Sequence, residues 1–194
     1  MRLQLMPRLL FAALLLASTA VAAGCEEGTP CHLVPDGQCA KAKFIDAKLR
    51  GMDLRNIDLS GAELNHVDLS GSNLTGANLD GATMVQANLT GATLKDAKLT
   101  NIKASGASFR KATLEGASLD GAVLDGADFF EASLRSVTAK NTHISGADFR
   151  SATLDGVDLT GATLGTSVTR ESTWKNVTCP DGQPQSTGPC PGAQ

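Results

Sequence analysis

A chain of 194 residues with 42% hydrophobic but only 4% aromatic side chains can fill one small domain, yet it excludes a core built on rings. Its 17 basic and 20 acidic residues give a formal charge of −3, which excludes the basic surface expected of a nucleic-acid binder.

Residues 1–24 read as an export signal. Arg2 and Arg8 supply the positive end, Leu9 to Leu16 the apolar run, and Ala20 to Gly24 the small-residue cleavage region. The apolar run is short for a permanent transmembrane helix. Removing the leader leaves 15 basic against 20 acidic residues, a charge of −5 for a product starting at Cys25. Two cuts are expected as alternatives. Ordinary signal peptidase cleavage falls near Ala22 or Ala23. The sequence Ala22-Ala23-Gly24-Cys25 also looks like a bacterial lipobox, with Ala22 in place of the usual Leu, which makes Cys25 the lipidation candidate. Cysteine parity favours the lipid: of five cysteines, removing Cys25 leaves Cys31, Cys39, Cys179 and Cys190, an even number for an oxidising compartment. The alternative pairs Cys25 with Cys31 or Cys39 and leaves one thiol free.

Residues 25–41, with Pro30, Pro35 and Asp36-Gly37, read as a polar N-terminal cap region. From 42 to 166 the chain repeats every five residues, as in Ala77-Asn78-Leu79, Ala87-Asn88-Leu89, Ala117-Ser118-Leu119 and Ala127-Asp128-Phe129. Of the 25 positions from Phe44 to Leu164 in steps of five, all but Ala104 and Ala139 are Leu, Phe, Met or Ile; two residues earlier, 17 of 25 are Ala. A period of five suits neither a helix at 3.6 nor a flat strand at 2, so the chain must turn after each short extended segment. The large residue and its small partner point inward, and the next two residues make a corner. Gly61, Gly76, Gly81, Gly91, Gly106, Gly116, Gly121 and Gly126 hold the second corner position, where a type II turn needs positive φ. Four sides make a coil of 20 residues, and coils stack as parallel strands about 4.8 Å apart, so six coils span roughly 30 Å. The two exceptions are offset locally: Ile102 replaces the small partner of Ala104, and Val137 that of Ala139.

Residues 167–194 read as a C-terminal cap. Cys39, Trp174 and Cys179 share the register of the large inward residues, so they are expected over the two ends of the bore. Local bridges, Cys31–Cys39 and Cys179–Cys190, close short loops; a Cys31–Cys179 bridge would have to span the rod.

The block resembles the pentapeptide-repeat family, whose consensus is Ala-Asp/Asn-Leu-x-x, and Trp174 to Gly182 resembles the ends of its exported members. The resemblance implies an all-β fold, a right-handed quadrilateral parallel β-helix, here of about six coils with disulfide-stapled ends. It implies little about function.

Residues 20 apart should share a side. One column reads Lys95, Glu115, Arg135, Asp155, where alternating charges can pair between coils at about 0–1 kcal/mol each. Another reads Arg110, Phe130, Arg150; cation–π stacking accounts for it as structure, and it is also the partner-contact candidate, since Arg and aromatics make favoured anchors. A third reads Thr93, Thr113, Ser133, Thr153, a single hydroxyl column that gives an ice-binding solenoid little support. His32, His66 and His143 do not stack, no Ser–His–Asp set assembles, and no phosphate loop is present, so no catalytic residue, metal site or cofactor is expected.

The expected function is that of a non-catalytic exported scaffold, a membrane-anchored bacterial lipoprotein facing the periplasm or cell exterior, or a soluble protein there. Its expected partner is a protein or envelope component. Some members of the resembled family mimic DNA and bind gyrase, which is the alternative. The leader argues against it, and Asp68, Asp128 and Asp148 share their side with Lys48, Asn88 and Ser108.

Overall fold

The computed structural model describes residues 31–191. Parallel bridges join every fifth residue to the one 20 further on, beginning with Gln38–Asp58 and ending with Asp158–Thr178. The coil therefore has four sides of five residues. Its outward columns run from Gln38 to Thr178 on face 1, Lys43 to Thr163 on face 2, Lys48 to Val168 on face 3 and Asp53 to Thr173 on face 4.

Each side is held twice. Across coils, Leu59 N–H donates to Asn78 O at 2.7 Å and Asn78 N–H to Ile57 O at 2.9 Å; around the corner, Ala62 N–H donates to Leu59 O at 3.0 Å. With φ of +64° at Gly61, that corner is a type II turn. The left-handed conformation is not confined to glycine: every fifth residue from Asp36 to Gly161 adopts it, including Lys41, Gln86, Lys111 and Glu131. Asn and Asp tolerate this region through local hydrogen bonds, whereas the longer side chains accept a modest backbone cost. The next corner breaks the pattern. Positive φ moves from the position of Thr166 to Gly165 (+49°), as expected where the usual position carries a β-branched side chain.

The bore is a packed core. Phe44, Leu54, Leu64, Leu89, Phe109, Leu119 and Leu154 are all buried, together with the facing alanines. Phe109, Phe129 and Phe149 form a continuous ring stack, with both centroid spacings at 4.9 Å and interplanar angles of 5° and 3°. That spacing is the coil pitch, so the backbone sets the stack and the rings fill it. Ile102 with Ala104 and Val137 with Ala139 are buried as the volume argument requires. An apolar void of about 10 Å³ remains in the C-terminal part of the bore, lined by residues from Leu119 to Trp174, Ala139 among them, at the lower limit for one water.

Both ends are closed. Cys31 bridges Cys39 and Cys179 bridges Cys190, with Cα–Cα distances of 4.9 and 5.5 Å, and all four are buried. At the C-terminal end the ladder continues past residue 166. Strands β1 (Ser133–Arg135), β2 (Thr153–Asp155) and β3 (Thr173–Thr178) are parallel, and β4 (Pro184–Thr187) then turns back antiparallel on β3. This hairpin covers the β3 edge from the corner at Lys175 to Thr178 on face 1, and Trp174 closes the bore, its indole N–H donating to Ser172 Oγ at 2.8 Å.

Candidate interaction face

Face 3 carries the partner-contact candidates. All six arginines of the described residues occupy the first corner position, and four of them, Arg50, Arg110, Arg150 and Arg170, fall in one column beside face 3. Phe130 interrupts that column, half-buried. The Arg110 guanidinium carbon lies 4.3 Å from its ring centroid and that of Arg150 lies 5.8 Å away. Coil stacking thus brings Arg110, Phe130 and Arg150 into one contiguous guanidinium–phenyl–guanidinium patch.

Carboxylates fix the guanidinium groups. Arg110 Nη1 donates to Asp128 Oδ2 at 2.9 Å, and Arg150 forms a bidentate pair with Asp148, with contacts of 2.6 to 2.9 Å. Arg50 pairs with Asp68 in the same way that Arg110 pairs with Asp128, from one coil to the next. The hydrogen bond from Arg150 holds the Asp148 carboxyl below the usual carboxylate range, and the pairing pushes Arg150 up. At Asp68, burial pushes the carboxyl up but is outweighed by hydrogen bonds from Ser70 and Arg50, so its pKa is lowered. The same Asp side chains also cap the corners from within, as where Asp128 Oδ1 accepts the Phe130 N–H at 2.9 Å.

Sequence reasoning found the Arg–Phe–Arg column but missed its counter-ions. For Arg110 the signal was an Asp 18 residues later, which places the two side chains diagonally across adjacent coils, and for Arg150 an Asp two residues earlier on the same coil. The alternating column gives less than expected: among the described residues it yields one ion pair, Lys95–Glu115 at 4.0 Å. Arg135 and Asp155 stand in strand register without an ion pair. Corner position explains this, since long side chains there reach diagonally, as in Lys140–Asp158 at 3.2 Å, or back to their own coil, as in Arg55–Asp53 at 2.7 Å.

The remaining candidates disperse. Thr93, Thr113, Ser133 and Thr153 line face 4, flanked by Lys95, Glu115, Arg135 and Asp155, so the hydroxyl column lies beside a charged one. His66 sits at a left-handed corner and His143 on face 2, where its Nδ1 lies 3.5 Å from Thr163 Oγ1. Among the described residues no three His, Cys, Asp or Glu side chains converge as a metal site would require. An open crevice beside the hairpin is lined by Asn176, Pro184, Gln185 and Ser186. Cys25 and the leader at 1–24 lie outside the described residues.

A right-handed quadrilateral β-helix of five-residue sides is the fold of one protein class, the pentapeptide-repeat solenoids. The profile of that family, "Pentapeptide repeats", matches eight copies in this chain at residues 38–76, 68–103, 107–145 and 127–165, and the chain belongs to it. Among solved structures, HetL, a pentapeptide repeat protein involved in heterocyst differentiation regulation in the cyanobacterium Nostoc sp. strain PCC 7120, is 28% identical. That match covers 76% of this chain and 74% of HetL, with a TM-score of 0.36. A pentapeptide repeat protein from the Arabidopsis thaliana thylakoid lumen is 34% identical over 54% of this chain and 69% of its own, with a TM-score of 0.42. QnrB1, a plasmid-mediated fluoroquinolone resistance protein, is 17% identical over 72% of this chain and 76% of its own, with a TM-score of 0.45. Comparison with curated protein sequences returns no significant match.

Proposed function

We propose that this chain is a non-catalytic, exported pentapeptide-repeat scaffold, membrane-anchored through a lipid on Cys25, that presents its regular faces to a protein or envelope component. The packed bore carries the scaffold part of the reading: its interior void is about 10 Å³ and wholly apolar, which suits a rod that works through its outer surface. The cysteines support export. Both ends are held by disulfides, which persist in oxidising compartments, and the four bridged cysteines leave Cys25 as the odd one for lipid. The Arg110–Phe130–Arg150 patch is the anchor proposed for a partner.

The test is the intact mass of the protein purified from bacterial membranes. The reading expects a chain beginning at Cys25 plus diacylglycerol, with or without an N-terminal acyl chain. An unmodified chain beginning at Ala23 or Gly24 would replace the lipoprotein with a soluble exported rod. For the patch, Phe130→Ala that captured the partner as well as wild type would remove it. The DNA-mimic alternative gains no support from the surface, because face 3 runs Lys48, Asp68, Asn88, Ser108, Asp128, Asp148, Val168 and offers no unbroken acidic stripe.

A further inference from the structure

The two ends of the rod are finished differently. At the C-terminal end Trp174, Val177, Cys179 and Cys190 are all buried. At the N-terminal end the apolar residues stay partly uncovered. Leu33, Ala47 and Met52 pack half-buried against the core, and Val34 and Ile45 are 49% and 48% exposed, the highest values among the large hydrophobics of the described residues. Register explains the difference. In the middle of the rod a small inward residue is sealed by the coils on both sides. The positions 20 residues before Ala47 and Met52, however, hold Glu27 and His32, which cannot extend an apolar core. An apolar rim bordered by polar residues marks a contact site. The same end carries the tether: Cys25 lies six residues before Cys31, a reach of at most about 20 Å.

We propose that this end is a membrane contact: the rim of Leu33, Val34, Ile45 and Met52 rests at the headgroup–acyl boundary of the bilayer that holds the Cys25 lipid, and the rod stands end-on. The inference rests on the lipid-anchor reading. The two acyl chains of a diacylglycerol already keep the chain at the membrane, so the small rim need only set its orientation, at the high local concentration that a short tether provides. The contact is apolar rather than electrostatic. Lys41, Lys43, Lys48, Arg50 and Arg55 accompany the rim, but Asp36, Asp46 and Asp53, with Glu26 and Glu27 of the tether, match them five to five. Three of those cations are also paired within the rod, Lys43 with Glu63, Arg50 with Asp68 and Arg55 with Asp53. Seven coils separate Val34 from Trp174, so an upright rod holds Trp174 about 34 Å above the rim and the Arg110–Phe130–Arg150 patch about 18 to 28 Å above it. All four faces are then clear for a partner.

The test uses the full lipid-modified chain, its mass measured first, in phosphatidylcholine vesicles whose acyl chains carry bromine, which quenches tryptophan only on contact. Trp174 of the wild type should keep its emission. Ile45→Trp adds a second indole at an exposed first corner position, the kind of position that Phe130 already fills elsewhere. Most of that added emission should be quenched. The quenching should be the same with phosphatidylglycerol present, and unchanged as salt rises from about 50 to 500 mM. Energy transfer from wild-type Trp174 to dansyl-labelled headgroups should be weak, and it should rise in a Val34→Asp, Ile45→Asp variant whose freed rod swings toward the bilayer. An added indole quenched no more than Trp174 overturns the proposal. So does quenching that needs anionic lipid and is lost at high salt, or wild-type transfer as strong as that of the double variant. A mass without lipid would remove this inference together with the lipid-anchor reading, whereas a lipid-modified chain with an unquenched rim would remove this one alone.

Discussion

Ile102 and Ala104 exchange volume between two inward positions of one side, and both remain buried. The repeat therefore asks for a total volume per side rather than for leucine at a fixed place, because the bore must be filled to interior density. Truncation at such a side has nothing to compensate it: Ile102→Ala would leave two alanines facing one gap. We expect a loss of about 2–4 kcal/mol, read from the urea midpoint, and an unchanged midpoint would refute the pairing. Gly165 is the other residue whose identity is dictated. Its φ is +49°, and a Cβ there would lie 2.9 Å from Ser145 Cβ and 3.3 Å from its Cα, contacts with a neighbouring coil that cannot swing away. At Gly51, with φ of +64°, the same Cβ meets nothing. Gly51→Ala should cost about 1 kcal/mol for the left-handed backbone alone, and Gly165→Ala clearly more. Equal midpoints for the two variants would show that the tight corner relaxes freely.

The side and the corner are the elements of this fold, and they differ in how far the amino-acid order discloses them. Inward positions were legible because volume alone decides them: Leu79, Met84 and Phe109 serve one purpose and recur at one spacing. Column membership followed from counting to 20. Ion pairing did not follow, since a corner side chain chooses among partners on its own coil and on the next, and the choice rests on rotamers. So Arg150 turns to Asp148 two residues back while Arg110 reaches Asp128 on the following coil. β4 was illegible for another reason: Pro-Gln-Ser-Thr has neither alternation nor apolar content, and only the partner strand β3 and the Cys179–Cys190 bridge make it a strand. The carboxylates of the sides carry a pH dependence. Asp148, Asp80, Asp68 and Asp158 all have folded pKa values below the ordinary carboxylate value, the first chiefly through the Arg150 hydrogen bond and the second through that of Thr100. A depressed folded pKa means that the unfolded chain takes up protons first. Their stabilisation is thus complete above the unfolded value of about 3.9 and is lost as pH falls through the folded values. Urea midpoints should stay level from pH 7 to 5 and fall below about pH 4. Asp148→Asn should flatten part of that fall while costing about 0–1 kcal/mol at pH 7, since Arg150 is half exposed. A wild-type midpoint independent of pH down to 3 would contradict the assignment.

As a whole molecule the rod is a linear array in which a coil touches only the coils beside it, so its stability is set by interfaces in the middle and by closure at the ends. The middle has a full ladder on all four faces and the stack of Phe109, Phe129 and Phe149. The C-terminal end has only β4 along β3 from Lys175 to Thr178, Trp174 over the bore and the Cys179–Cys190 bridge, whose 11-residue separation corresponds to about 3 kcal/mol of loop-closure entropy. Losing that bridge should therefore loosen the end before the rod. Trp174 is the chain's one tryptophan and is buried at that end, which makes its fluorescence a local reporter. In a Cys179→Ser, Cys190→Ser variant we expect its emission to shift to the red. The amides of β4 should exchange faster, while those of residues 94–124 keep their protection and the β signal in circular dichroism holds. Unchanged Trp174 emission would mean that packing alone retains the cap. Loss of protection along the whole rod would mean that the coils unfold as one cooperative unit, and the nearest-neighbour description would fail with it.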